Sequence, residues 1–97
     1  MEYQSTFEDL IHMFTSIKNE EEMTALFQDL FTPAELKDFT LRWHLLNDLY
    51  KHTPQRIIAK ELKISLCKIT RGSRILKNPD SPIKKELSRR YDDHLHR

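Results

Sequence analysis

The sequence predicts an all-α protein of six short helices. Three observations carry this reading. Valine is absent and glycine occurs once in 97 residues, while 32% of the chain is charged, a composition that suits amphipathic helices and leaves little material for a sheet. The dipeptides Thr32-Pro33, Thr53-Pro54 and Ser81-Pro82 each place a hydroxyl at a helix N-cap and a proline at the first helical position, where its missing N–H would be unpaired anyway. Large apolar residues recur at spacings of three and four.

Taken in order, the first helix is expected over 6–18. Ser5-Thr6-Phe7-Glu8 has capping-box spacing, and Phe7, Leu10, Ile11 and Phe14 form one stripe. The second, over 20–30, starts from Asn19 with Glu22 three residues on and carries Met23, Leu26, Phe27 and Leu30. The third, over 33–51, opens on the Thr32/Glu35 capping box and carries Leu36, Phe39, Trp43, Leu46 and Leu49/Tyr50. Trp43 and Tyr50 are read as core or dimer interface rather than as stacking platforms for single strands. The fourth, over 54–62, begins at Thr53-Pro54.

Lys63-Ile64-Ser65 then turns the chain into a fifth helix over 66–77, with Ser65 as cap and Ile64 packing on Ile69 as a hydrophobic staple. The sixth, over 82–95, carries Ile83, Leu87, Tyr91 and Leu95. One domain is expected over 1–97, with core and dimerisation helices in 1–53, a helix-turn-helix in 54–78 and a C-terminal helix in 79–97. So many large apolar side chains on short helices predict burial between two copies as well as within one.

Net charge is only +1, yet residues 1–30, 31–53, 54–78 and 79–97 carry −6, 0, +6 and +1. Residues 54–78 hold seven bases against Glu61. A short helix, a three-residue turn and a basic second helix have the form of a DNA-reading helix-turn-helix, whose second helix presents its N-terminal side chains to the major groove. That reading places Leu66, Cys67 and Lys68 in the groove, with Gln55, Arg56, Thr70, Arg74 and Lys77 near bases or phosphates. In the alternative the charges are a solvated face and Leu66 is core; the charge imbalance favours DNA.

Other classes are disfavoured. Cys67 is the lone cysteine, no apolar run approaches the roughly 20 residues of a membrane span, and the chain opens without a basic, apolar leader; a cytoplasmic protein is expected. There is no Cys-His partnership, paired-carboxylate motif or phosphate-cradling glycine loop, so no enzyme is expected. His12, His44, His52, His94 and His96 lack zinc-site spacing, and no metal is expected.

"LFTPAELKDFTLRW" followed by "QRIIAKELKISLCKITRGSRILK" resembles the tryptophan repressor family, bacterial regulators that bind operator DNA as dimers when loaded with L-tryptophan. The similarity is densest from Leu30 to Lys77. It implies an intertwined homodimer on a palindromic operator, L-tryptophan as corepressor, and half-sites about 34–36 Å apart.

By the same resemblance, Arg42 and Arg71 sandwich the indole, Thr32 and Arg71 hold the ligand carboxylate, and Leu45 forms a wall. Backbone carbonyls at or just before Phe31 of the other subunit face the ammonium group. Stacking on an aromatic face and gripping a carboxylate are both within the chemistry of a guanidinium. Gly72 would remove a side chain that crowds the indole, or alternatively serve close helix packing with no ligand. Arg56 matches an arginine that reaches guanine, a pairing that geometry favours.

The chain departs from the family at three places. Ile75 stands where the family carries a serine that bonds the ligand amine. Leu66, Cys67 and Lys68 replace smaller or uncharged residues, and the loop near His52-Thr53 is one residue shorter. The resulting expectation is a tryptophan-dependent repressor. The alternatives are the same fold and DNA binding with an altered or lost corepressor, or a helical dimerisation adaptor that does not bind DNA.

Overall fold

The computed structural model describes residues 2–92. Its helices run α1 (Tyr3–Ser16), α2 (Glu20–Leu30), α3 (Pro33–Tyr50), α4 (Gln55–Leu62), α5 (Leu66–Lys77) and α6 (Pro82–Tyr91), and the described residues contain no strand. The all-α expectation holds. The predicted end of the sixth helix, with Leu95, lies outside the described residues, as do His94 and His96. The chain divides into two compact units, Met1–Lys37 and Asp38–Arg97.

In the first unit, α1 begins earlier than the sequence reading placed it. Its N-cap is Glu2, without a side-chain cap, and the Ser5/Glu8 capping box does not form. Glu8 instead accepts from the Gln4 amide at 3.2 Å and the Thr6 hydroxyl donates back to the Glu2 carbonyl at 3.2 Å, so both groups are engaged inside the helix. The end comes at Ser16, two residues short of the expected boundary. There Thr15 and Ser16 donate their hydroxyls to the carbonyls of His12 and Met13, a competition that weakens the helical ladder.

Asn19 caps α2 by accepting from the Glu22 N–H at 2.8 Å. The Thr32 capping box forms as expected, with Thr32 N–H donating to Glu35 at 2.8 Å and Glu35 N–H donating to the Thr32 hydroxyl at 3.1 Å. Phe14 stacks on Phe27, and Phe27 contacts Phe31. Neither α1 nor α2 buries a residue fully, and Tyr3, Phe7 and Ile11 remain exposed.

The second unit is built on Leu45, Ile58 and Ile69, each at most 2% exposed, with Leu49, Ala59, Leu62 and Ile64 packed around them. Here α3, α4 and α5 converge, and Ile64 takes the staple position expected of it. Ser65 caps α5 by accepting from Lys68 N–H, and Ser81 caps α6 by accepting from Lys84 N–H.

Thr53 does not cap α4, contrary to expectation; the N-cap is Pro54, with no side-chain bond. The Thr53 backbone closes α3 instead. Its N–H donates to the Asp48 carbonyl, the His52 N–H donates to Leu49, and His52 has φ 66°, which together form a Schellman motif. Lys63, at the end of α4, likewise takes left-handed φ 55° and ψ 46°.

Helix α6 is anchored by Leu87, which is fully buried. The Tyr50 hydroxyl donates to Asp92, Tyr91 donates to Asn47, and the Tyr50 and Tyr91 rings stack. The bond to Asp92, reinforced by burial, holds the Tyr50 phenol above its ordinary pKa of 10.0. On the outer side of α6, Arg89 and Arg90 bond Glu86 and hold its carboxyl down to about 2. Arg90 also lies over the ring of Trp43, which is half-exposed rather than core.

Candidate functional site

Two helical faces with the same spacing meet in the second unit. Along α3, Asp38, Leu41, Arg42 and Leu45 follow the i, i+3, i+4, i+7 pattern of one helix face. Along α5, Lys68, Arg71, Gly72 and Ile75 repeat it. With Ile64 from the turn, these residues line a cleft of about 60 Å³.

Gly72 allows this approach. A Cβ there would stand 2.9 Å from Leu49 Cδ1 and 3.4 Å from Leu45 Cδ2, so the missing side chain makes room for α3. Gly72 thus packs closely on α3 and also lines the cleft, which is compatible with both roles open from the sequence.

The cleft has an apolar floor and a charged mouth. Leu45 is buried, Leu41, Ile64 and Ile75 are half-buried, and Asp38, Arg42, Lys68 and Arg71 are exposed. Arg42 lies over the Phe39 ring at 5.7 Å from its centroid. None of the three cations forms an ion pair with a described carboxylate, and Asp38 has no side-chain partner among the described residues. The lining therefore carries three bases and one acid, without internal neutralisation. Such a set can hold a carboxylate through charge-assisted bonds and stack a ring against guanidinium planes.

Of the sequence-predicted ligand residues, Arg42, Leu45, Arg71, Gly72 and Ile75 come together here. Thr32 and Phe31 belong to the first unit and are not among the lining residues. The Thr32 hydroxyl oxygen accepts within its capping box, which leaves its hydrogen able to donate.

The predicted DNA residues occupy α4 and α5. Arg56, Cys67, Lys68, Thr70, Arg74 and Lys77 are exposed. Leu66 is 66% exposed, so it is not core. Gln55 donates to Ser73 at 3.4 Å and thereby ties the start of α4 to α5. Lys68 sits at both places, at the N-terminal end of α5 and in the cleft lining.

A family model described as Trp repressor protein matches residues 5–91. The chain belongs to the tryptophan repressor family. It is 29% identical over 87 residues to a Trp operon repressor homolog of Chlamydia trachomatis serovar L2, covering 89% of this chain and 93% of the relative. A homolog of the same name from Xylella fastidiosa is 30% identical over 91 residues, covering 93% and 97%. One from Vibrio campbellii is 31% identical over 82 residues, covering 84% and 82%. No solved structure matches the chain significantly.

Members of the tryptophan repressor family are transcriptional regulators rather than enzymes, and this chain is a trp operon repressor-like regulator. The described residues contain no group of side chains suited to a metal ion and no helix long and apolar enough to cross a membrane.

Asp38, Leu41 and Ile64, and the cleft-facing position of Lys68, were not anticipated from the sequence. Their signal is the matched spacing on α3 and α5, which becomes informative once the two helices are known to face each other.

Proposed function

We propose that the chain is an L-tryptophan-dependent repressor that binds palindromic operator DNA as a homodimer in the cytoplasm. The observation that carries this reading is the placement of Arg42 and Arg71 on opposite walls of one apolar-floored cleft, beside the exposed start of α5. The indole would lie between the two guanidinium groups, with its carboxylate on Arg71. Carbonyls at or just before Phe31 of the partner chain would face the ammonium group.

At about 60 Å³ the cleft is far smaller than the roughly 300–1,000 Å³ of pockets for drug-sized ligands. Entry therefore requires the cleft to widen, and Arg42, Lys68 and Arg71 are the long lining side chains able to move. All three are exposed and free of carboxylate partners, so the movement breaks no ion pair.

A ligand wedged there sets the angle of α5 to α3 and hence the pitch at which two copies of α5 meet successive major grooves. Tryptophan must bind the DNA-competent form better than the other form, and by linkage DNA then tightens tryptophan binding by the same factor. Dimerisation is supported by α1 and α2, which leave apolar side chains without full burial. Leu66, Cys67 and Lys68 would face base edges, with Gln55, Arg56, Thr70, Arg74 and Lys77 at nearby bases or phosphates.

A second reading retains DNA binding but exchanges the corepressor. It is favoured by Ile75, which lines the cleft and offers no hydrogen bond to an amine. Isothermal titration of the full chain with L-tryptophan tests the main reading. Measurable binding that disappears in Arg71→Ala, with helix content retained, supports it; equal binding by both proteins rejects the pocket assignment.

A further inference from the structure

Lys68 belongs to two places at once. It is the third residue of α5, in the first turn, which a helix-turn-helix presents to base edges, and it lines the cleft between α3 and α5. Arg42 and Arg71 share that lining, but Arg42 stands on α3 and Arg71 a turn further along α5. Among the described residues, Lys68 is therefore the one cleft cation at the groove-facing start of α5.

Its backbone is fixed while its side chain is not. The Lys68 N–H donates to the Ser65 hydroxyl at 3.3 Å, which ties this residue to the cap of α5, and the fully buried Ile69 beside it anchors the same turn. The side chain is exposed and forms no ion pair with a described carboxylate. Its four-carbon stem is flexible and its ammonium is a compact point charge. Three bases against one acid in the lining give that charge little electrostatic hold inside the cleft.

The cleft, at about 60 Å³, must widen to take an aromatic amino acid. We propose that Lys68 is a ligand-gated DNA contact: tryptophan filling the cleft displaces the Lys68 side chain from the lining, and the freed ammonium takes an acceptor edge of a base in the major groove. This rests on the ligand reading of the cleft given above. Ligand and DNA then compete for nothing on Lys68, because its departure makes room for one and supplies a donor to the other. Part of the coupling between the two sites thus resides in a single side chain, which adds to the change in helix angle.

The test measures how far L-tryptophan tightens binding of the full chain to a labelled duplex from upstream of its own gene, in wild type, Lys68→Met and Lys68→Arg. Isothermal titration with tryptophan alone accompanies it, and circular dichroism verifies helix content. Methionine keeps an unbranched stem and removes the charge. The expected result is that the tightening falls at least about fivefold in Lys68→Met, the lower end of what one good base contact supplies, and is partly regained in Lys68→Arg. Tryptophan alone should bind Lys68→Met at least as tightly as wild type.

An unchanged tightening in Lys68→Met, including the case in which both DNA affinities fall together, overturns the gating. Weaker binding of tryptophan alone overturns it too, since Lys68 would then hold the ligand instead of leaving it. Lys68→Arg behaving like Lys68→Met removes the charge from the account and also overturns it. Wild type that tryptophan does not tighten at all overturns the corepressor reading and the Lys68 assignment with it.

Discussion

Gly72 on α5 faces Leu49 on α3 with no room between them for a methyl group: an added Cβ would come within 2.9 Å of Leu49 Cδ1. The obstructing atom is the tip of a half-buried side chain, which can move at modest cost. Alanine also regains the roughly 1 kcal/mol that glycine forfeits inside a helix. Gly72→Ala should therefore stay within about 1 kcal/mol of wild type in urea unfolding. The larger, branched Gly72→Val should lose about 1–3 kcal/mol through overpacking. A severe loss in the alanine variant would show that Leu49 cannot yield.

Lys63 and His52 hold left-handed backbone at φ 55° and 66°, where a Cβ costs roughly 1–2 kcal/mol. Glycine removes that strain and loses part of the gain to the greater freedom of the unfolded chain. Lys63→Gly and His52→Gly should each raise the urea midpoint, with a gain in unfolding free energy of up to about 1 kcal/mol. A lowered midpoint would mean that side-chain contacts outweigh the backbone term.

The Tyr50 phenol is raised above 10.0 by its bond to Asp92 and by burial. A raised folded pKa gives stability that is complete below the unfolded value and is lost as pH climbs through the folded one. Glu86 has the opposite sign. Its carboxyl is held down to about 2 by Arg89 and Arg90, so its contribution is present above the ordinary 4.5 and fades as pH falls toward 2. Thermal melts across pH should show Tyr50→Phe flattening the alkaline limb and Glu86→Gln flattening the acid limb. Unchanged slopes would remove these bonds from the stability account.

Arg74 and Lys77 are exposed on α5. If each meets a phosphate, alanine at either should weaken operator binding and reduce the slope of log K against log salt by about 1. Retention of the full slope would assign them to the solvated face.

How much of this was legible in the sequence follows from which residues have local meaning. Thr32 with Glu35, Ser65 and Ser81 announce helix starts because each cap is satisfied within three residues. Thr53 looked the same, but α4 starts from Pro54 with no side-chain cap, while the Thr53 N–H closes the preceding helix on the Asp48 carbonyl. Lys63 gave no sign of left-handed backbone, since glycine usually marks that position.

Within the cleft, Arg42 and Arg71 were identified through family resemblance. Asp38 was overlooked because an acid on an exposed helix face looks like ordinary solvated charge. Only the pairing of α3 with α5 turns it into a group facing three cations.

The central claim is that tryptophan switches DNA binding, and one titration tests it most directly. A fluorescently labelled duplex from upstream of the protein's own gene is titrated with the full chain, with and without L-tryptophan, and anisotropy is recorded. The account predicts binding tightened by tryptophan at least about fivefold, the lower end of typical allosteric coupling. Equal affinity in both conditions would contradict it.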